Sequence, residues 1–208
     1  MNKREQMKLA RRQEIIEVAK KLILDIGIQQ VQLQEVADEV GIGIATFYRY
    51  FPNKELLVLA VHTSITVEMT EKIKQIANEQ LTAFEMIEKI IMYYIDLAED
   101  PEHQFVKYMK AFDAYRPLSK DSIEYEQFIN TRREMARILY DIAKKADQDQ
   151  SVKSNVDIAQ YIFTVVHNIS NYTAESYLAE HDTELPLKLE PRKQLLLMKD
   201  IFLQYIHR

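Results

Sequence analysis

Side chains able to do chemistry are few in kind. The chain has no cysteine, which excludes a thiolate metal site, a cysteine nucleophile and a disulfide framework. Its five histidines, His62, His103, His167, His181 and His207, show no HExxH pairing or other ligand spacing, and no serine lies in a nucleophile elbow. Three glycines, Gly27, Gly41 and Gly43, cannot build a phosphate-cradling loop. No catalytic residue, no metal and no cofactor is therefore expected. What remains is charge suited to phosphate. Residues 1–12 set Lys3, Arg4, Lys8, Arg11 and Arg12 against Glu5, although the net charge is −5 and residues 56–208 hold 18 basic and 24 acidic side chains. Lys54 follows Asn53 at a helix start, where a cation opposes the helix dipole, so a phosphate is its expected neighbour.

The elements around these groups follow from spacing. Leu33, Val36, Ala37 and Val40 recur on one helical face, and Gly41 stands where a helix turns left-handed and stops. Gly43 can cap a second short helix from Ile44 to about Tyr50, with Phe47 and Phe51 inward at i, i+4. Two short helices joined by a glycine turn predict a helix-turn-helix, a unit that can place its second helix in a major groove. A preceding helix from about Lys8 to Ile26, with Ile15, Ala19, Leu22, Ile23 and Ile26 on one face, supplies its core. The basic segment ahead of it either solvates the terminus or, given this position, acts as a phosphate or minor-groove arm.

The run Leu33, Val36-Ala37, Gly41-Ile42, Thr46-Phe47-Tyr48, Tyr50-Phe51 and Lys54, followed by Glu55-Leu56-Leu57, resembles the DNA-binding segment of the TetR family of bacterial repressors over about residues 10 to 60. The resemblance implies a DNA surface of Gln34, Gly43, Ile44, Ala45, Thr46, Tyr48, Arg49, Tyr50 and Lys54. In it Tyr48 and Lys54 hold phosphate, Thr46 and Tyr50 assist, and Gln34, Ile44 and Ala45 face bases. The chain departs from the family pattern at Gln32, where a capping Thr is usual, at Gly43, which replaces a capping Ser, and at Ala45, where Gly is common. Reading of bases is then expected from Gln34 and from apolar contacts with thymine methyls.

Beyond Val61 no glycine interrupts the chain, and period-two apolar alternation is missing, so the fold class expected is all-α, with about nine helices. Residues 1–53 are read as the helix-turn-helix domain with its basic arm, and residues 54–208 as a helical effector-binding and dimerisation domain. A long helix from Lys54 to about Asn78 links them. Thr82 and Glu85 form a capping box for a helix to Glu99. Pro101 opens the next, closed by Arg116-Pro117, and Ser119 or Asp121 starts another to about Ala146, with Asp147 to Ser154 as loop. Residues 158–174 contain no charged side chain, and the last helix begins near Pro191. A charge-free helix apolar on more than one face needs more than one cover, which predicts a homodimer.

An aromatic and methionine lining formed by Tyr94, Phe105, Met109, Phe112, Tyr125 and Phe128, with Arg132 and Asn168 as polar groups, is the candidate pocket for a hydrophobic small-molecule effector. Two readings stay open there. Arg132 can snorkel to solvent, and His167, Asn168 and Asn171 can serve the core or the dimer seam rather than a ligand. The effector is equally open between a lipophilic cation, suited by the acidic body and its tyrosines, and an acyl or carboxylate ligand, suited by Arg132. No signal peptide or membrane span is present in the sequence, so a cytoplasmic location is expected. The function expected is a DNA-binding repressor released from operator DNA by such an effector. The alternatives are a helical dimeric interaction module and a DNA-binding protein without inducer response.

Overall fold

The computed structural model describes residues 2–97, 99, 104–115, 121–179 and 190–208. Pro101, Arg116-Pro117, Ser119 and the connection with His181, Asp182 and Pro186 lie outside the described residues. The elements are α1 (Lys3–Ile26), α2 (Leu33–Val40), α3 (Ile44–Phe47), α4 (Lys54–Ala77), α5 (Ala83–Leu97), α6 (Gln104–Tyr115), α7 (Ile123–Asp149), α8 (Ile158–Ala179) and α9 (Pro191–Ile206). Among the described residues the β-structure is one isolated bridge, Val152 to His207. The all-α expectation is met. Two compact units form, one from Met1–Glu68 with Lys107–Arg132, the other from Met69–Val106 with Arg133–Arg208.

In the first unit, α1 begins five residues earlier than its apolar periodicity indicates. Asn2 and Glu5 close a capping box, the Asn2 N–H donating to Glu5 Oε2 and the Glu5 N–H to Asn2 Oδ1, both at 2.9 Å. The basic segment expected to be an arm is thus the first turns of a helix. The extended chain that a minor-groove arm needs is not present over residues 3–12. Ile15, Ile16, Ala19 and Ile23 form the buried stripe of α1, which packs on α2.

Gly41 ends α2 at φ 74°, a conformation that penalises any Cβ. Its N–H bonds to Asp38 O at 3.0 Å and the Ile42 N–H to Ala37 O at 2.9 Å, a Schellman closure that fixes the angle between α2 and α3. At the other end Gln32 replaces the usual threonine, and the start is held instead by Glu35, whose Oε2 accepts the Gln32 N–H at 3.0 Å. Helix α3 is shorter than expected. After Phe47 the chain continues in turns, with Arg49 N–H to Thr46 O and Tyr50 N–H to Phe47 O, and Pro52 then disfavours helix at Phe51. Phe47 and Phe51 are fully buried with ring centroids 6.2 Å apart, which seats this turn on the core. Asn53 caps α4, its Oδ1 accepting the Leu56 N–H at 2.9 Å.

The second unit is built on α5, α8 and α9, which pack on one another. Ala83, Met86, Ile87, Ile90, Ile91, Tyr94 and Ile95 make α5 buried on most sides. Its start is the expected capping box, the Thr82 N–H donating to Glu85 Oε2 at 2.7 Å and the Glu85 N–H to Thr82 Oγ1 at 3.3 Å. Two more first-turn donors are satisfied from afar: Ala83 N–H donates to Asp149 Oδ2 at 2.7 Å and Phe84 N–H to Ser151 Oγ at 3.1 Å. The segment Asp147 to Ser154, read as loop, instead starts as the last turn of α7 and then pairs with the end of α9, where Lys153 N–H donates to Ile206 O at 3.0 Å and Val152 bridges His207. Ser122, rather than Ser119 or Asp121, caps α7, its Oγ accepting the Tyr125 N–H at 3.1 Å.

Candidate nucleic-acid interface and aromatic site

Around α3 the chain turns outward a compact set of groups. Gly43, Ala45, Thr46, Tyr48 and Arg49 are exposed, Ile44 and Tyr50 half-buried, and Phe47 beneath them fully buried. Tyr48 stands edge-on to Phe47, ring centroids 6.2 Å apart, so its phenol leaves the surface at a fixed angle. Gln34 is exposed on α2 and hydrogen-bonds Asp38. Lys54 lies at the N-terminus of α4 and donates from Nζ to the Gln29 carbonyl at 3.0 Å. Burial pushes its ammonium below the ordinary lysine pKa, with the Glu35 carboxylate opposing. Such a lysine is held in place, and an anion at the same helix N-terminus meets both its charge and the helix dipole.

Two of the five basic residues near the N-terminus have structural partners. Arg12 Nη2 pairs with Glu124 Oε1 of α7 at 2.9 Å, and its guanidinium carbon lies 4.9 Å from the Phe51 ring centroid. Arg11 bonds Glu14 at 2.8 Å and the Val40 carbonyl at 3.3 Å, capping the end of α2. Lys3, Arg4 and Lys8 are exposed along the first turns of α1.

Of the residues expected to line a pocket, the first unit gathers Phe112, Tyr125, Phe128 and Arg132 around a residue that spacing alone did not single out, His62. It is 8% exposed and stacks face to face on Phe112, 3.5 Å between centroids and 2° between planes. Its Nδ1 shares a hydrogen bond of 3.1 Å with the Tyr108 hydroxyl, and Phe128 lies 5.5 Å from its ring. Tyr125 adjoins Phe128 at 6.1 Å. Burial first, and then the Arg132 charge, lower the His62 pKa to about 3, so the imidazole is neutral at physiological pH. Arg132 is exposed and stacks 5.5 Å over Phe128. A lone histidine between Val61 and Ile65 on a buried helix face was the available signal, and it reads as core until the partner helix is known.

Met109 is half-buried on α6 in the same unit. Tyr94, Phe105 and Asn168 belong to the second unit. There the buried Tyr94 hydroxyl reaches Met135 Sδ at 4.0 Å, and burial raises its pKa. Asn168 is exposed on α8 and donates from Nδ2 to Thr164 O at 2.7 Å, while Asn171 bonds His167 Nε2 at 3.0 Å. An open hollow of about 530 Å³ in this unit is lined by Phe84, Asp200, Leu203, Gln204 and His207, none of them an expected pocket residue. Among the described residues no group of His, Asp and Glu could hold a metal ion, and no helix is long and apolar enough to cross a membrane.

Comparison with known proteins fits this geometry. Residues 15–61 match the family model described as bacterial regulatory proteins, tetR family. An HTH-type transcriptional regulator of Staphylococcus aureus strain USA300 is 27% identical over 134 residues, 56% of this chain and 72% of that protein. The HTH-type transcriptional repressor KstR2 of Mycolicibacterium smegmatis is 25% identical over 150 residues, 72% of this chain and 71% of that one. Among solved structures, the regulator FadR of Bacillus subtilis in complex with stearoyl-CoA aligns with a TM-score of 0.65 at 20% identity, over 94% of this chain and 99% of that chain. A TetR/AcrR-family regulator from Thermobifida fusca aligns at 0.67 and 21% identity, over 96% and 100%. A glycine-closed helix-turn-helix heading an otherwise helical chain is the architecture of a DNA-binding transcriptional regulator. Residues 15–61 carry the DNA-binding segment of the TetR family, and the relatives support a DNA-binding regulator of that kind.

Proposed function

We propose that this regulator is a repressor that binds operator DNA as a homodimer and releases it when a small hydrophobic ligand binds. The observation that carries the reading is the match of residues 15–61 to the family's DNA-binding segment, on a face that exposes Gln34, Thr46, Tyr48 and Arg49 beside Lys54. Residues 1–53 serve as the DNA-binding domain and residues 54–208 as the effector and dimerisation domain. Tyr48 and Lys54 hold phosphate, Thr46, Arg49 and Tyr50 assist, Gly43 offers its backbone, and Gln34, Ile44 and Ala45 face bases.

Dimerisation is supported by an apolar row left uncovered on α8 and α9. Phe163, Leu197, Ile201 and Tyr205 are 41%, 61%, 57% and 62% exposed, the last three one helical turn apart. The effector reading is supported by the aromatic cluster of His62, Phe112, Tyr125 and Phe128. Arg132 beside it favours a ligand with an apolar body and an anionic head over a lipophilic cation, and the stearoyl-CoA bound by the Bacillus FadR is of that class. A cytoplasmic location goes with this role.

The test is binding of the full-length protein to labelled DNA from upstream of its own gene, with stearoyl-CoA, stearate or a lipophilic phosphonium cation added. Binding released by the acyl thioester or acid is expected. Release by the cation alone would overturn the anionic assignment. Binding that none of them disturbs would leave a repressor set by its abundance, and no binding to any DNA would leave a helical interaction module.

A further inference from the structure

The exposed face of α2 carries Gln34, Glu35, Asp38 and Glu39 and no lysine or arginine. Glu35 is used in capping its own helix. Asp38 has a different partner: its Oδ1 accepts from Gln34 Nε2 at 2.7 Å, one turn back along the helix. Chemistry dictates which end of the amide faces it, since an ionised carboxylate only accepts and the nitrogen of Gln34 must be turned towards it. One of the two N–H donors is then occupied. What faces away is the carbonyl oxygen beside the second N–H, an acceptor next to a donor.

In the major groove, adenine presents the complement of that pair, the N6 amino donor beside the N7 acceptor, whereas guanine presents two acceptors. A glutamine free to rotate about its last torsion can turn both N–H groups to guanine instead. The outward residues of α3 offer little discrimination of their own, because Ala45 makes apolar contact only and the Thr46 hydroxyl both donates and accepts.

We propose that Asp38 is a positioning residue for operator reading, holding the Gln34 amide so that each head selects adenine at one base pair. The inference rests on Gln34 facing a base, as in the proposed function. It also accounts for a carboxylate on a helix that faces DNA, where its charge alone would only repel phosphate.

The experiment selects duplexes from a random library with the full-length protein, then measures affinities for the selected site and its single-base changes at fixed salt. In the wild type, adenine to guanine at the Gln34-dependent position should weaken binding about tenfold or more. Asp38→Ala should shrink that ratio to about threefold or less, while absolute affinity rises with the lost charge. Asp38→Asn also loses the charge but keeps Oδ1 as an acceptor, and should retain the wild-type ratio. If Gln34→Ala relaxes the preference and Asp38→Ala does not, the positioning role alone is overturned. If Gln34→Ala changes no preference, the reading of Gln34 falls and the inference with it. Selection of guanine or cytosine at that position overturns the adenine assignment.

Discussion

Arg12 offers a sharp contest between two roles for one charge. A basic residue ahead of a helix-turn-helix is a natural phosphate contact, yet here its Nη2 lies 2.9 Å from Glu124 Oε1, with side chains only 23% and 13% exposed. Two unit charges about 4 Å apart attract by roughly 4 kcal/mol at an effective dielectric constant near 20. Covering both groups costs much of that. A net coupling of about 1–2 kcal/mol is expected, above the ~0.2–1 kcal/mol of exposed pairs. Stacking of the guanidinium on Phe51 adds about 0.5–1 kcal/mol that Glu124 does not share, so Arg12→Gln should destabilise more than Glu124→Gln. Urea unfolding of both single variants and the double variant gives the coupling directly. Operator titration gives the contest: an arginine committed to Glu124 leaves the slope of log K against log salt unchanged when replaced, whereas a phosphate contact lowers it by about 0.9. Coupling below about 0.3 kcal/mol together with a lowered slope would refute the structural role.

Lys54→Ala should weaken binding to all duplexes similarly and reduce the salt slope by about one, measured by anisotropy from low to moderate salt. His62 has a folded pKa lowered to about 3 against an ordinary 6.5, so its contribution to stability is fully present above pH 6.5 and is lost as pH falls towards 3. The unfolded chain takes up a proton there that the folded chain refuses. His62→Leu should therefore remove a slope of up to ~1.4 kcal/mol per pH unit from that window, seen in urea midpoints against pH. Ile201→Asp, at an exposed position of α9, should give monomers at micromolar concentration in sedimentation with helicity unchanged; a dimer as stable as wild type would remove α9 from the seam.

Local rules carried the sequence reading as far as local rules reach. Gly41 required a left-handed residue, Thr82 and Glu85 spelled a capping box, and Asn53 and Pro191 announced helix starts, and each stands where spacing put it. The misplacements also have local causes. Asn2 with Glu5 is a capping box as readable as Thr82 with Glu85, set within a run of basic residues. The shortened α3 gives way to i, i+3 turns at Arg49 and Tyr50, ahead of Pro52. Long-range pairing left no trace in periodicity: Arg12 with Glu124, and His62 with Tyr108 and Phe112, join positions whose partners only the fold identifies. Within the DNA surface, residue identities came from the family pattern, while the Gln34–Asp38 bond needed side-chain geometry.

The donors at the start of α5 have a consequence for amide exchange. First-turn amides of most helices exchange rapidly, because they have no partner within the helix. Those of Ala83 and Phe84 are held by side chains 66 and 67 residues further along the chain. Their protection then reports whether the end of α7 is docked, and is blind to the helicity of α5 itself. Deuterium uptake at these two amides is a probe of opening between the ends of α5 and α7, and should rise in Asp149→Ala while the middle of α5 stays protected.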